Sequence, residues 1–287
     1  MTTTAFPFQL AAIDIDETLV GPDKRISDPN RIAIRRLRDA GCRVVLASGR
    51  RHENMLRFHR DLGLDGFLVS SQGAVARSAE TSEVLHEALL PTPHAAEVTA
   101  EGLERGLTVM VWTADGVFAR QRTDWVDRYT ADSGGDRVTL CDVLSLVDGG
   151  APVEKVVWGA EPEVIPLLAP EMHRRYRSGV LMTVTEDWFL EFTSPRATKA
   201  EGVAAVANHH GIDRANVLAF GDGNNDVPML EWAGLGVAMP HGRPSAQAAA
   251  KRVAPAGDAE TSLARAIETL LEGAGAETGQ ALRMDAA

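Results

Sequence analysis

The chain carries one pattern at both ends: a short apolar run, polar residues directly after it, then a helical stripe. Near the N-terminus the apolar runs are residues 10–15, 43–47 and 67–70. A helix start falls between the first two, with Asp28 as the expected N-cap and Pro29 at the first helical position. A second helix is expected over residues 51–62, stopped by Gly63. Strands and helices alternating at this spacing require right-handed crossovers and a parallel sheet. The pattern returns late, with a helix over 198–209, strands over 217–220 and 234–238, and a final helix over 260–271. In such a sheet ligands bind beyond the carboxyl ends of the strands, so polar residues that follow strands are the functional candidates.

Residues 91–193 read differently. Helices are expected over 94–105, 124–132 and 163–175, and strands over 107–112, 117–121, 153–158, 180–185 and 188–192. Ala114-Asp115-Gly116 and Glu186-Asp187 fall where hairpin turns are needed. Adjacent hairpins imply a partly antiparallel sheet. Pro91, Pro93 and Pro195 punctuate the ends of the segment. The expected architecture is therefore an α/β core of residues 1–90 and 194–287, interrupted by an α+β domain of residues 91–193. Residues 273–287 are small and polar and are expected to form a disordered tail. A length of 287 residues suits two domains and a core that needs no staples.

Composition excludes several classes. The 29 Lys and Arg against 40 Asp and Glu give a net charge of −11, a poor footprint for a nucleic-acid binder. Cys42 and Cys141 are too few for a disulfide framework or a cysteine-based zinc site, and suit a reducing cytosol. No stretch approaches ~18 consecutive apolar residues, so no membrane span is expected. Residues 1–8 lack a basic region followed by an apolar one, so no secretory signal is read. These readings give a cytoplasmic protein, monomer or homodimer, with neither nucleic acid nor membrane as partner.

Four polar clusters carry the chemistry. Asp14 and Asp16 end the first strand, and a period of two lets both side chains project to one side. Two carboxylates this close repel, and a divalent cation would resolve the repulsion; solvation or turn capping would also explain them. Ser48-Gly49-Arg50 follows the second strand, where a hydroxyl and a bare backbone can bind an oxyanion, or simply make a strand-to-helix turn. Thr198-Lys199-Ala200-Glu201 is a capping box. It puts Lys199 at the first helical position, where a cation opposes the helix dipole unless an anion is bound. Arg50 and Arg51 show the same misfit.

Gly221-Asp222-Gly223-Asn224-Asn225-Asp226 follows the late strand. A dinucleotide fingerprint needs glycine where Asp226 stands. An EF-hand loop starting at Asp222 needs glycine and glutamate where Val227 and Ala233 stand. A Mg²⁺ site built from strand-end carboxylates remains, with Asp226 also placed as an N-cap ahead of Pro228. Taken together, the four clusters offer a nucleophile, an acid, a hydroxyl, a cation and metal carboxylates, a set suited to phosphoryl transfer.

In this order, Asp14-Ile15-Asp16-Glu17-Thr18, Ser48, Lys199 and the 221–226 loop resemble the four motifs of the haloacid dehalogenase (HAD) superfamily. The insertion resembles the large α/β cap of its Cof-type branch, subclass IIB. Ser71-Gln72-Gly73-Ala74 stands where that branch usually shows Asn-Gly-Ala, and Gly236-Val237-Ala238-Met239 is also similar to it. The resemblance covers residues 10–271. It implies that Asp14 is the nucleophile, forming an aspartyl-phosphate, and that Asp16 is the general acid and then the base. It implies that Ser48, with Gly49, and Lys199 hold the phosphoryl oxygens, and that Asn225 contacts the phosphate. Asp14 and Asp222 would ligate Mg²⁺, Asp16 would touch it through its backbone carbonyl, and Asp226 would orient that shell.

The sequence departs from the pattern at two places. Glu17 replaces the usual glycine after the second aspartate, and its charge is expected to point away from the anion site. Gln72 replaces asparagine. The Asp14–Val20 stretch is also similar to the motif of RNA polymerase C-terminal-domain phosphatases, which lack a cap of this kind. Cap residues would close over the site and choose the leaving group. Trp112, Arg120, Arg122, Trp188 and Glu191 are candidates there, although the tryptophans equally suit a cap core. The function implied is hydrolysis of small phosphomonoesters, phosphosugars above all. The alternatives are a sugar-phosphate phosphotransferase or mutase, and a non-catalytic phosphometabolite sensor.

Overall fold

The structure, a computed structural model, describes the backbone of residues 6–176 and 178–284 and side chains as far as residue 273. The first third of the chain forms strands β1 (Leu10–Ile13), β2 (Arg43–Ala47), β3 (Phe67–Ser70), β4 (Val75–Ser78) and β5 (Val84–Glu87). Helices α1 (Asp28–Asp39) and α2 (His52–Asp61) connect the first three. The middle third follows with α3 (Thr92–Glu104), β6 (Thr108–Thr113), β7 (Gly116–Ala119), α4 (Asp124–Asp132), β8 (Val138–Leu140) and α5 (Val143–Asp148). It continues through β9 (Val153–Gly159), α6 (Ile165–Arg175), β10 (Leu181–Glu186) and β11 (Phe189–Thr193). The last third supplies α7 (Lys199–His209), β12 (Val217–Gly221), α8 (Val227–Trp232), β13 (Leu235–Ala238), α9 (Pro244–Ala249), β14 (Arg252–Val253) and α10 (Ser262–Met284). No helix among the described residues is long and apolar enough to cross a membrane.

The first and last thirds build one eight-stranded sheet in the order β14-β13-β12-β1-β2-β3-β4-β5. It is parallel from β14 to β3, and β4 and β5 add an antiparallel edge. Strand β1 lies at its centre and is buried along its whole length, because helices cover both faces. Its residues alternate between two cores. Ala11 and Ile13 pack with Ile34, Leu37, Met55, Phe58, Phe220 and Ile267. Leu10 and Ala12 pack with Val45, Val69, Val203, Val206 and Leu230. Each large side chain fully buried here contributes about 1.5–3 kcal/mol relative to exposure. The fold is thus the parallel-sheet α/β core with an inserted α+β unit that the sequence implies.

The middle third forms a separate six-stranded sheet in the order β10-β11-β9-β6-β7-β8. Its central strands pair antiparallel, and only β7–β8 is parallel. One face packs through Val109, Val111, Val156, Trp158 and Phe192 onto Met172 of α6 and Val98 of α3. The other carries Met110, Trp112, Val157 and Phe189, with Tyr129 of α4 and Trp188. That second face looks onto the strand ends of the first sheet, so the period of two in β6, β9 and β11 decides which residues meet the cleft.

Several local expectations are corrected. The N-cap of α1 is Ser27, not Asp28: Ser27 is extended and its hydroxyl accepts from the Asn30 amide. Asp28 enters the first turn, where its charge favours the helix dipole, and Pro29 follows at the second position. The last helix starts at Ser262 and runs on to Met284 rather than ending at residue 271. The expected tail over 273–287 is instead helical as far as Met284, although Gly273, Gly275, Thr278 and Gly279 are poor helix formers; residues 285–287 lie outside the described residues. Strands β4, β5, β8 and β14 and helices α5 and α9 were not anticipated. They run to six residues at most, too short to show a period.

Candidate active site

The carboxyl ends of β1, β2 and β12 converge, and each delivers one cluster. Asp14 directly follows β1, its amide donating to the Phe220 carbonyl of β12. Its side chain is 5% exposed. Lys199, fully buried at the start of α7, donates to Asp14 Oδ1 at 2.5 Å and to Asp226 Oδ1 at 2.6 Å. Thr198 caps that helix by accepting from the Glu201 amide. The misfit of a cation at a helix start is resolved by the two carboxylates. Asp226 in turn accepts from the amides of Asp222 and Gly223 at 2.9 and 2.8 Å. Gly221 is required beside it, since a Cβ there would lie 2.5 Å from the Asp226 carboxyl carbon. Asp222 Oδ1 accepts from the Thr18 hydroxyl at 2.8 Å.

Carboxylate oxygens of Asp14, Asp222 and Asp226 lie within 4.8 Å of one another. Burial, then the charge of Asp226, holds the Asp14 carboxyl well above its usual range; Asp222 and Asp16 add to this and Lys199 opposes it. Burial and Asp226 push Asp222 up to about 7. Burial disfavours the Lys199 charge, yet Asp14 and Asp226 outweigh it and keep the ammonium protonated. Three crowded carboxylates against one ammonium leave a deficit of positive charge. An all-oxygen donor set of this kind suits Mg²⁺, so the residues present fit the ion the motifs imply.

The Asp16 carboxylate is not part of that trio. It accepts from Arg50 Nε at 2.7 Å, Arg50 Nη2 at 2.8 Å and Lys24 Nζ at 2.9 Å. Burial would raise it, but the Arg50 hydrogen bonds and charge, with Lys24, bring it down to about 2. A metal contact from this residue would have to use its backbone. Ser48 is buried at the end of β2, and its hydroxyl accepts from the Arg50 amide at 3.2 Å.

Gly49, Asn225 and Gln72 meet in a way the sequence did not suggest. Gln72 is left-handed at φ 64°, between Ser71 at 50° and Gly73 at 96°. This turn brings its amide to Gly49, where a Cβ would lie 2.5 Å from Gln72 Nε2. The bare face of Gly49 thus receives Gln72. Asn225 Nδ2 donates to Gln72 Oε1 at 2.9 Å, and Gln72 Nε2 donates to Glu191 Oε2 at 2.8 Å. Glu17 occupies the left-handed region at φ 58°, which explains why glycine suits that position. It lines the cleft, and its charge adds to the rise of Asp222.

The cleft between the two sheets measures about 580 Å³ and takes in Asp14, Asp16, Ser48, Gly49, Asp222 and Asn225. From the second sheet, Trp112, Trp188 and Glu191 line it; Arg120 and Arg122 do not, and Arg122 pairs with Asp127 at the surface. Lys155 of β9 donates to both Glu191 oxygens at 3.0 Å and to the Gly49 carbonyl at 3.1 Å, under the Trp112 ring. A second concavity of about 640 Å³, lined by Arg25, Arg31, Arg57 and Arg60 among others, holds none of the four clusters. Sequence reasoning missed Lys24, Gln72 and Lys155 as site residues. Lys155 had a weak signal: beside Glu154 it is the one cation in β9, whose other residues are apolar.

An α/β sheet with this site at its strand ends and a second sheet inserted after β5 defines a class. The chain belongs to the haloacid dehalogenase-like hydrolase family, which it matches over residues 11–267. Relatives and structures that it resembles are named phosphatases. It is 28% identical over 243 residues to 5-amino-6-(5-phospho-D-ribitylamino)uracil phosphatase YitU of Bacillus subtilis, covering 81% of this chain and 87% of that protein. It is 27% identical over 240 residues to the HMP-PP phosphatase of Cronobacter sakazakii, covering 82% and 85%. A crystal structure of a haloacid dehalogenase-like hydrolase from Bacteroides thetaiotaomicron superposes with a TM-score of 0.78 at 26% identity, covering 92% and 99%. A HAD subclass IIB sugar phosphatase shares the fold with a TM-score of 0.77 at 22% identity, covering 86% and 93%.

Proposed function

We propose that this enzyme hydrolyses small phosphomonoesters with Mg²⁺, through an aspartyl-phosphate on Asp14 and with Asp16 as general acid and base. The observation that carries the reading is the buried Lys199 ammonium, 2.5 Å from Asp14 and 2.6 Å from Asp226. It fixes the nucleophile, opposes the rise of its carboxyl and would offer positive charge to a transferring phosphoryl group. Asp14, Asp222 and Asp226 would hold Mg²⁺, which when bound neutralises charge on the phosphoryl oxygens. The Ser48 hydroxyl, beside the backbone of Gly49, would donate to those oxygens, and Asn225 would contact them from the opposite wall.

Asp14 Oδ attacks phosphorus and the bond to the leaving oxygen breaks; that oxygen takes a proton from Asp16, which enters this step carrying the proton it took from water in the preceding turnover. Asp16 then takes a proton from water as it attacks the aspartyl-phosphate, which restores the Asp14 carboxylate and releases phosphate. Residues 91–193 would act as the cap that excludes water and selects the leaving group. The relatives' names, which include a sugar phosphatase and phosphatases of ring-bearing esters, support a small phosphorylated metabolite as substrate, with phosphosugars as the first class to try. The test is phosphate release from a panel of sugar and nucleotide phosphates, with Mg²⁺ and with chelator. Metal-dependent release by the wild type and none by Asp14→Asn supports the reading; undiminished release by Asp14→Asn overturns it.

A further inference from the structure

Arg50 makes four hydrogen bonds with a side chain only 8% exposed, and they join two parts of the molecule. Two go to the Asp16 carboxylate. The others go to the cap: Nη1 donates to the Ser133 carbonyl at 2.9 Å and Nη2 to the Asp132 carbonyl at 3.1 Å. Asp132 is the last residue of α4 and Ser133 its C-cap. The last carbonyls of a helix lack partners within it and carry partial negative charge, so a cation is favoured there. The guanidinium is a rigid plane, and acceptors on one edge therefore constrain acceptors on the other. The adjoining residues of the first sheet grip the same segment. Arg51 Nη1 and Asn54 Nδ2 each donate to Asp136 at 3.1 Å, and the Tyr129 hydroxyl of α4 donates to it at 2.7 Å.

We propose that Arg50 is a positioning residue that couples the seating of α4 to the orientation of the Asp16 carboxylate. The half-reaction it serves is the attack of water on the aspartyl-phosphate. The inference rests on the function proposed above. A carboxylate held by two guanidinium N–H groups and the Lys24 ammonium has its direction fixed, and a base must be aimed at the water it deprotonates. As that proton moves to Asp16, the water oxygen bonds to phosphorus and the Asp14 Oδ–P bond breaks. With α4 lifted away, Arg50 loses two of its four acceptors, and the carboxylate loses its fixed direction.

Rapid-mixing kinetics with p-nitrophenyl phosphate and Mg²⁺ test this, because an aryl leaving group needs no proton in the first half-reaction. Arg50→Ala is expected to lower kcat about 100-fold, as for loss of a positioned base, and KM with it, so that kcat/KM, which reports the first half-reaction, is little changed. Phosphoenzyme then accumulates, and the p-nitrophenol burst approaches one equivalent per enzyme. Added guanidinium ion restores part of kcat, and Arg50→Lys, which keeps charge without the fork, falls between. Asp136→Ala, which removes the second grip on α4 without touching Asp16, is expected to give the same signature at about 10-fold. A rise in KM alone, or a slower burst phase in place of a larger one, would overturn the proposal. Wild-type behaviour in Asp136→Ala would overturn the coupling to α4. Turnover or a burst from Asp14→Asn would instead remove the aspartyl-phosphate reading itself.

Discussion

At the residue scale the site is governed by charge balance under burial. Lys199 and Asp226 are fully buried and Asp14 is nearly so, and none would be tolerated alone. Lys199→Met leaves two carboxylates without their ammonium. It is expected to destabilise the metal-free protein by about 3–5 kcal/mol, the range for breaking a buried ion pair. Thermal unfolding with and without Mg²⁺ checks this: the ion should recover part of the loss, while activity stays absent. His52 makes a second residue-scale case. Burial, then the charge of Arg77, pushes its imidazole down to about 4, and its Nδ1 has no hydrogen-bond partner. The unfolded chain therefore binds a proton from about pH 6.5 downward while the native state refuses it until about 4. Stability from this group is complete above pH 6.5, falls between the two values and levels off below the lower one. Denaturant midpoints for the wild type and His52→Gln across that window should converge toward the acid end.

At the element scale, boundaries follow local chemistry that a sequence shows only in part. Thr198 reads correctly as a cap because hydroxyl, helix and Glu201 stand in the expected register. At α1 two good caps stand side by side, and composition alone does not choose between them. Ser27 wins because Asn30 is spaced to donate to it and because Asp28 gains from the dipole inside the first turn. Ser27→Ala is expected to cost about 1 kcal/mol in a chemical denaturation curve, the usual value of a lost N-cap. Asp28→Ala should cost less than half as much; the reverse order would restore Asp28 as the cap. The two-residue strand β14 and the three-residue strand β8 owe their existence to neighbours already in a sheet, which no local pattern records.

At the scale of the whole molecule, the parallel sheet and the four clusters were legible because strand ends in an α/β fold are where polar residues collect. Asp14, Ser48 and Asp222 line one cleft, and the fully buried Lys199 bonds to Asp14. The contacts between the two sheets were not legible. Gln72 meets Glu191 across 119 residues, Lys155 reaches Gly49 across 106, and Arg50 reaches Ser133 across 83. Pairings at such separation depend on how two independent sheets face each other. Arg50 stood out only as a cation at a helix start, and Lys155 did not stand out beside Glu154 in β9. Both residues lie where the two sheets face each other.

The central claim is that Asp14 carries the phosphoryl group. Acid quenching of the enzyme during turnover of a phosphate ester, with Mg²⁺, followed by peptide mass analysis, tests it directly. The account predicts one added phosphoryl group on the peptide containing Asp14, absent from Asp14→Asn and from wild type given chelator. A phosphoryl group on any other residue, or ester turnover by Asp14→Asn without one, would contradict it.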